Sequence, residues 1–172
     1  WRHLNFFQFE AYLTARVPRV KCPNAEHGVK QIQVPWARAG SGFTLLFEAL
    51  VMALVREMPV RAAAAILDEH DTRIWRVIDH YIQRTRAQAD YSEVRRVGMD
   101  ETSARRGHDY ISLFFDMDER RLLFGTAGHD HGTVKAFTED LAAHNGVPEN
   151  ITDACLDMSK AFIKGVTEAL PN

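Results

Sequence analysis

The sequence has no hydrophobic run long enough to cross a membrane. Its longest uninterrupted apolar stretch, residues 49–55, is far shorter than the roughly 18 residues that a spanning helix needs. The first residues include Arg2, His3 and Glu10, which interrupt the continuous apolar core that a signal peptide requires. The sequence therefore predicts a cytoplasmic protein without a membrane anchor.

Cysteine is scarce, since the chain of 172 residues contains only Cys22 and Cys155. Because the two lie far apart in different kinds of segment, a disulfide framework is not expected. The hydrophobic share of 46% and the charged share of 26% are those of folded domains, which excludes a disordered or fibrous chain. The chain begins with Trp1 rather than Met and is therefore expected to be a piece of a longer protein.

The net charge is only −2, but the two signs are unevenly spread along the chain. Residues 1–96 contain 14 Lys and Arg against 10 Asp and Glu, whereas residues 97–172 contain 7 against 13. A basic first part favours a polyanionic partner, and an acidic second part favours bound cations.

The first 40 residues alternate loosely between apolar and polar side chains around several prolines and Gly28. This pattern predicts a small β unit of short strands and turns. The Ala-Gly-Ser-Gly sequence at 39–42 predicts a flexible linker, because it offers little packing surface. We therefore expect a domain boundary near residue 40.

The next segment, 41–92, has helical periodicity. Its predicted helices follow the layout of a helix-turn-helix DNA-binding domain. A first helix that Pro59 ends has one predicted apolar face, formed by Phe43, Leu46, Phe47, Leu50 and Leu54. A short helix over 60–67 and a longer one over 73–86 follow, the latter with Asp71 or Thr72 as its predicted N-cap. A short helix, a tight turn and a longer helix form the helix-turn-helix layout.

The third helix has an apolar stripe on one side and basic residues on the other. The predicted inner stripe consists of Ile74, Ile78, Tyr81 and Ile82. The opposite side carries Arg73, Arg76, His80 and Arg84. From the residues alone, this side is either a DNA-contacting surface, with Thr72 near the phosphates at the helix N-terminus, or an ordinary solvated face.

From residue 93 onward the pattern changes to α/β, so the predicted fold class is a multi-domain α/β protein. Strands near 95–100, 110–115 and 122–124 predict an antiparallel meander. A helix over 133–144, a strand over 151–156 and a helix over 158–170 follow. The predicted order is β-β-β-α-β-α, with Cys155 expected to be a small buried side chain in the fourth strand.

Two aspartates stand at the carboxyl ends of separate predicted strands, Asp100 after the first and Asp157 after the fourth. Ligands of α/β sheets bind at that edge, and converging carboxylates favour a hard divalent cation such as Mg²⁺ or Mn²⁺. Two such ions activate a water or hydroxyl for attack on a phosphodiester. The alternative for either aspartate alone is a turn or cap residue.

Several motifs in this order resemble the ISL-three-type insertion-sequence transposases. Those of the catalytic part lie at 98–103, 106–110, 157–162 and 170–172. Those that resemble the segment joining the family's zinc ribbon to its helix-turn-helix lie at 34–38 and 73–78. The resemblance covers essentially the whole chain.

The resemblance implies that 93–172 is the first half of an RNase H-like domain whose Asp, Asp and Glu bind two Mg²⁺ ions and cut and rejoin DNA ends. By position, Asp100 and Asp157 are its first and second carboxylates. The family's Glu lies well beyond the second Asp, so this chain is expected to be inactive by itself. The implied partner is double-stranded DNA at transposon terminal inverted repeats, bound by a homo-oligomer.

The resemblance also implies a zinc ribbon over 1–40, with one Cys pair upstream of this chain and a second ligand pair near Cys22. Cys22 and His27 are the candidate ligands, and His3 is the other nearby histidine. A structural zinc site needs four ligands, so a partial site is expected, or else a free cysteine and a turn histidine. Arg105 and Arg106, after the first strand, are candidate phosphate contacts or simply a basic turn.

Three functions remain open from the sequence. The first is a piece of a transposase that, in its full length, cleaves and joins DNA. The second is a non-catalytic DNA-binding remnant or regulator that occupies transposon ends, which the missing Glu favours. The third is an unrelated RNase H-like hydrolase acting on RNA, which has no use for a helix-turn-helix.

Overall fold

The computed structural model describes residues 1–105, 107, 109–157 and 159–170. Arg106, a predicted DNA contact, lies outside the described residues. The backbone divides into two compact units, Trp1–Ala87 and Gln88–Asn172. Among the described residues, no helix is long and apolar enough to span a membrane.

The first unit combines short antiparallel hairpins with a set of helices. Its strands are β1 Arg2–Phe6, paired with β2 Phe9–Tyr12, and β3 Arg19–Lys21, paired with β4 Val29–Gln31. Its helices are α1 Leu45–Glu57, α2 Val60–Leu67 and α3 Asp71–Arg86.

The helices of the first unit bury an apolar cluster that includes only part of the face predicted for α1. The residues of that face that lie in the cluster or pack against it are Phe43, Phe47 and Leu54. Phe47 and Val51 are buried against Ile74 of α3, whereas Leu46 and Leu50 are 59% and 37% exposed. Nearly every position of α1 is apolar, so periodicity alone does not single out one face. The contact with α3 decides which residues are buried.

A tight turn joins α2 to α3, as the helix-turn-helix layout requires. Asp68 follows α2 in the left-handed conformation, with φ of 50°, which Asp adopts more readily than most residues. His70 caps α3, because its Nδ1 accepts a hydrogen bond from the Thr72 N–H at 3.3 Å. The prediction of Asp71 or Thr72 as the cap is therefore wrong, since α3 begins earlier than expected.

The segment 39–42 is held in place by α1 and β1 rather than forming a flexible linker. The fully buried carboxylate of Glu48 accepts a hydrogen bond from Ser41 Oγ at 2.5 Å and pairs with Arg38 Nε at 2.9 Å. The Gly42 carbonyl accepts the N–H of Arg2 at 2.9 Å. The prediction of flexibility is wrong, and residues on both sides of position 40 belong to one compact unit.

The second unit contains a mixed sheet with strand order β7-β6-β5-β8. The strands are β5 Arg96–Ser103, β6 Tyr110–Asp116, β7 Arg121–Ala127 and β8 Asp153–Cys155. The helices are α4 His131–Ala143 and α5 Lys160–Ala169. The first three strands form an antiparallel meander, and β8 pairs parallel with β5. The predicted order β-β-β-α-β-α is confirmed.

Aromatic packing builds the core of the second unit. Phe114 of β6 stacks on Phe137 of α4, with ring centroids 4.5 Å apart, and Phe162 of α5 completes the cluster. Gly165 allows α5 to approach α4 closely, because a Cβ there would lie 2.6 Å from a methyl carbon of Val134. The core thus fixes α5, the helix that follows the β8 edge.

Cys155 is exposed, so the prediction of a buried side chain is wrong. Its strand, β8, stands at the edge of the sheet as the structure describes it, and the alternating burial of β8 leaves Ala154 as the more enclosed residue. A short apolar run does not reveal which of its alternate residues faces the core.

Candidate metal and nucleic-acid sites

Asp100 lies within β5, on the sheet face opposite the main core. The prediction that the first strand ends at Asp100 is wrong, because pairing with β6 continues β5 to Ser103. Met99 is buried in that core, whereas Asp100 after it is exposed, as the alternation of side chains along a strand requires. The Asp100 carboxylate accepts a hydrogen bond from the Glu101 N–H at 2.8 Å. A carboxylate oxygen bonded in this way keeps further lone pairs for another partner.

Asp157 follows β8 and precedes α5. Its side chain is exposed, and its Oδ1 accepts the N–H of Ser159, the N-cap residue of α5, at 2.9 Å. The Ser159 side chain makes no capping hydrogen bond. Asp157 therefore helps to order the turn into α5, and its own carboxylate remains accessible.

The parallel pairing of β5 and β8 relates the two aspartates. Gly98 is the register partner of Cys155, and each of these residues is followed two positions later by an aspartate. The carboxyl ends of neighbouring parallel strands meet at one edge of a sheet, where α/β proteins bind ligands. The prediction that the first and fourth strands are neighbours is confirmed, and the metal-binding role of the aspartates stays a prediction.

The donor chemistry of this edge fits a hard divalent cation. Both aspartates offer exposed carboxylate oxygens, the ligands that Mg²⁺ and Mn²⁺ prefer. Within the described residues, no group of three or more His, Cys, Asp and Glu side chains could hold a metal ion. Glu101 does not join the pair, because adjacent residues of a strand point to opposite faces. The described residues thus offer two carboxylates here.

The basic side of α3 is largely accessible. Thr72, Arg76 and Arg84 are exposed, and no ion pair links either arginine to a residue that the structure describes. His80 is half-buried, with its ring edge-on to Tyr81 at 5.2 Å. The structure therefore leaves the charges of Arg76 and Arg84 available to a polyanion.

Arg73 differs from the other predicted contacts because it is tied into the first unit. Its guanidinium forms an ion pair with Glu69 and lies over the Phe43 ring at 4.2 Å. Its side chain is 41% exposed, whereas Glu69 is 6% exposed. Arg73 thus connects Glu69, in the turn between α2 and α3, with Phe43, which precedes α1.

The remaining predicted phosphate contact, Arg105, is exposed in the loop after β5. Arg106 beside it lies outside the described residues. Since no described side chain forms an ion pair with Arg105, its charge is accessible from solvent.

Cys22 and His27 lie together, as their spacing suggested. Cys22 Sγ is 3.4 Å from His27 Nδ1, close to the roughly 3.5 Å expected for two donors on one zinc ion with bonds of about 2.3 and 2.0 Å. His3 is not part of a ligand cluster with them in the described part of the chain, and its Nδ1 lies 2.9 Å from Thr44 Oγ1. Among the described residues no third ligand joins the pair, so a complete structural zinc site does not fit them.

Glu48, which the sequence pattern did not single out, organises the first unit. Its carboxylate binds Arg38, Ser41 and the Tyr81 hydroxyl, the last at 3.0 Å. The pKa of Tyr81 is raised mainly by burial of its side chain and, to a smaller extent, by this hydrogen bond to Glu48. The sequence contained one signal for this role, because Glu48 is an acidic residue among the apolar residues of α1. An acidic side chain in such a place is buried only when it is paired.

Three family profiles match the chain in succession. The first is described as the zinc-finger of transposase IS204/IS1001/IS1096/IS1165 and matches residues 1–27. The second is described as the helix-turn-helix domain of transposase family ISL3 and matches 32–82. The third, a DDE-type profile of the same family described as transposase, matches 97–172. The chain belongs to the ISL3 transposase family.

Curated relatives of this ISL3-family chain are transposases of insertion sequences. The transposase for insertion sequence element IS1557, from two strains of Mycobacterium tuberculosis, is 32% identical over 178 residues, which cover 100% of this chain and 38% of the relative. The transposase for IS1001 from Bordetella parapertussis is 29% identical over 75 residues, or 44% of this chain and 18% of the relative. The ISL3-family chain therefore spans well under half the length of these relatives. No solved structure matched it significantly.

Proposed function

We propose that this chain is the DNA-binding and metal-binding part of a DDE transposase that cleaves and joins DNA at transposon ends. The pairing of β5 with β8 carries the proposal, because it relates Asp100 and Asp157 at one edge of a sheet. Family membership supports DNA as the substrate.

The proposed organisation assigns one task to each part of the chain. Residues 1–40 form part of a zinc ribbon, in which Cys22 and His27 supply two ligands. Residues 41–92 bind duplex DNA, and 93–172 form the first half of an RNase H-like domain. The antiparallel meander followed by a helix and a parallel strand supports the last assignment. Assembly on paired transposon ends involves a homo-oligomer.

In the proposed site, Asp100 and Asp157 hold Mg²⁺ or Mn²⁺. When two such ions are bound, they activate the attacking water or hydroxyl and stabilise the leaving oxygen. The backbone of the chain holds the two carboxylates in position. Asp100 is fixed by the β5 backbone, and Asp157 by its hydrogen bond to the first turn of α5. The exposure of both carboxylates leaves the edge of the sheet open to a DNA strand.

The second candidate function is a DNA-binding protein that occupies transposon ends without cutting them. The finding that favours it is that, in the part of the chain that the structure describes, no third acidic or ligating side chain joins the two aspartates. Two carboxylates hold an ion more loosely than three.

We expect Arg76 and Arg84 to contact DNA phosphates. Replacing both with alanine should weaken binding to a duplex that carries candidate terminal repeats. Each lost phosphate contact should reduce the slope of log K against log salt by about 0.9. Fluorescence anisotropy over a series of salt concentrations measures this slope. The control is Arg56→Ala, which removes an exposed charge from the last turn of α1. If the wild type, the double variant and this control have equal slopes, the basic side of α3 is a solvated face.

A strand-cleavage assay tests whether the two aspartates alone support cutting of DNA. We expect the polypeptide of these 172 residues to bind DNA with candidate transposon ends in the presence of Mn²⁺ and to leave it uncut. The reason is that positioning two ions for in-line attack needs more acidic ligands than the described pair. Cutting that disappears in Asp100→Asn would show that the two aspartates suffice, or that another acid such as Glu168 completes the site.

A further inference from the structure

A small cavity lies between the 40–42 loop and α3 in the first unit. Its volume is about 150 Å³. The cavity is lined by the arginines Arg38, Arg73 and Arg76, by the loop residues Gly40, Ser41 and Gly42, and by Phe43. Cationic side chains and backbone therefore enclose a space that no part of the proposed catalytic site uses.

The charges around this cavity are unequally neutralised. Arg38 pairs with the buried Glu48, and Arg73 pairs with Glu69. Arg76 forms no ion pair within the described residues. The wall thus retains one uncompensated positive charge, beside two guanidinium groups that their carboxylate partners hold in place.

The loop adds hydrogen-bond donors to this charge. Ser41 N–H donates to the Arg38 carbonyl, and Phe43 N–H donates to Ser41 Oγ. The amides of Gly40 and Gly42 have no acceptor among the residues that the structure describes. Unpaired backbone N–H groups next to arginine side chains are the donor set that binds phosphate oxygens.

Glycine at position 42 allows the loop to lie close to Arg73. A Cβ at Gly42 would lie 3.1 Å from Arg73 Nη2, so a methyl group there would displace the guanidinium at the cavity wall by a few tenths of an ångström. The loop is bonded on both sides of this contact, because Ser41 Oγ donates to Glu48 and the Gly42 carbonyl accepts the N–H of Arg2.

We propose that this cavity binds one phosphate of the DNA backbone and so fixes the position of α3 on the duplex. The inference rests on the proposed DNA-binding function and adds the segment before the helices to the DNA contact. Phosphate contacts set the register and orientation of a protein on DNA without reading sequence. Arg76 supplies the attractive charge, and the glycine loop supplies donors that a bare helix face lacks.

Salt-dependent binding to a duplex of arbitrary sequence tests the proposal, with the wild-type chain compared with Gly42→Ala, Arg76→Gln and Arg56→Gln. Gly42→Ala removes no charge, yet it should weaken binding and lower the slope of log K against log salt by about 0.9, as Arg76→Gln should. Arg56 does not line the cavity, so Arg56→Gln should keep the wild-type slope. Circular dichroism checks that each variant folds.

Titration of the wild-type chain with sodium phosphate, observed by amide chemical shifts, separates the cavity from the proposed function. We expect saturable shifts at Gly40 and Gly42 with phosphate and none with sodium chloride at equal ionic strength. If the wild type binds the duplex but Gly42→Ala matches it and these amides do not shift, the cavity proposal is overturned. If phosphate shifts the amides but the duplex is not bound, the cavity is a free-phosphate site and the assignment to DNA is wrong.

Discussion

Arg38→Ala is expected to lower the free energy of unfolding of the first unit by about 3–5 kcal/mol, the cost of leaving a buried carboxylate without its partner. Glu48 has no exposed surface, and Arg38 Nε lies 2.9 Å from its Oε1. Tryptophan fluorescence during denaturant unfolding reports this unit selectively, because Trp1, Trp36 and Trp75 all lie within it.

Arg56→Ala provides the matched control, since Arg56 is exposed at the end of the same helix as Glu48. Its midpoint should stay close to that of the wild type, because surface substitutions usually change stability by less than about 0.5 kcal/mol. A change as small for Arg38→Ala would mean that Ser41 and Tyr81 satisfy Glu48 without the arginine, and would contradict the central role given to this ion pair.

The parts of the fold that local pattern determines were predictable. The short run of apolar and aromatic residues at 110–115 predicted β6, which the structure places at Tyr110–Asp116. The helical spacing after a turn predicted at 70–72 indicated α3, which in the structure begins at Asp71, two residues earlier than predicted. Both patterns involve residues close together in the sequence, which is where side-chain periodicity is informative. Both aspartates were visible as polar residues that follow apolar runs, but the strand end predicted at Asp100 was wrong, because β5 continues to Ser103.

The parts that depend on distant partners were not predictable. Residues 39–42 have the composition of a linker, and nothing nearby in the chain shows that Arg2 and Glu48 hold them. Arg73 has the same helical spacing as Arg76, yet Glu69 and Phe43 engage it. In both cases a side chain from another element decides the outcome, and helical periodicity contains no information about it.

Replacing either Asp100 or Asp157 should remove a shared metal site. We expect Asp100→Asn and Asp157→Asn each to weaken Mn²⁺ binding by about 10–100-fold or more. Changing a group that only supports a metal ligand already has an effect of that size. The reason is that an ion held by both carboxylates would keep only a single anionic protein ligand if either residue became an amide. Electron paramagnetic resonance of free Mn²⁺ during titration measures the number of ions bound per chain.

The double variant decides whether the two aspartates hold one ion together. If they do, each single variant loses one bound Mn²⁺ and the double variant loses no more than that one. Independent sites would lose two ions in the double variant and would contradict the shared edge. Asp153→Asn is the control, because Asp153 is an exposed carboxylate at the opposite end of β8, paired in register with Arg96. Its Mn²⁺ binding should equal that of the wild type, since strand geometry separates it from Asp157 by about four residues at roughly 3.3 Å each.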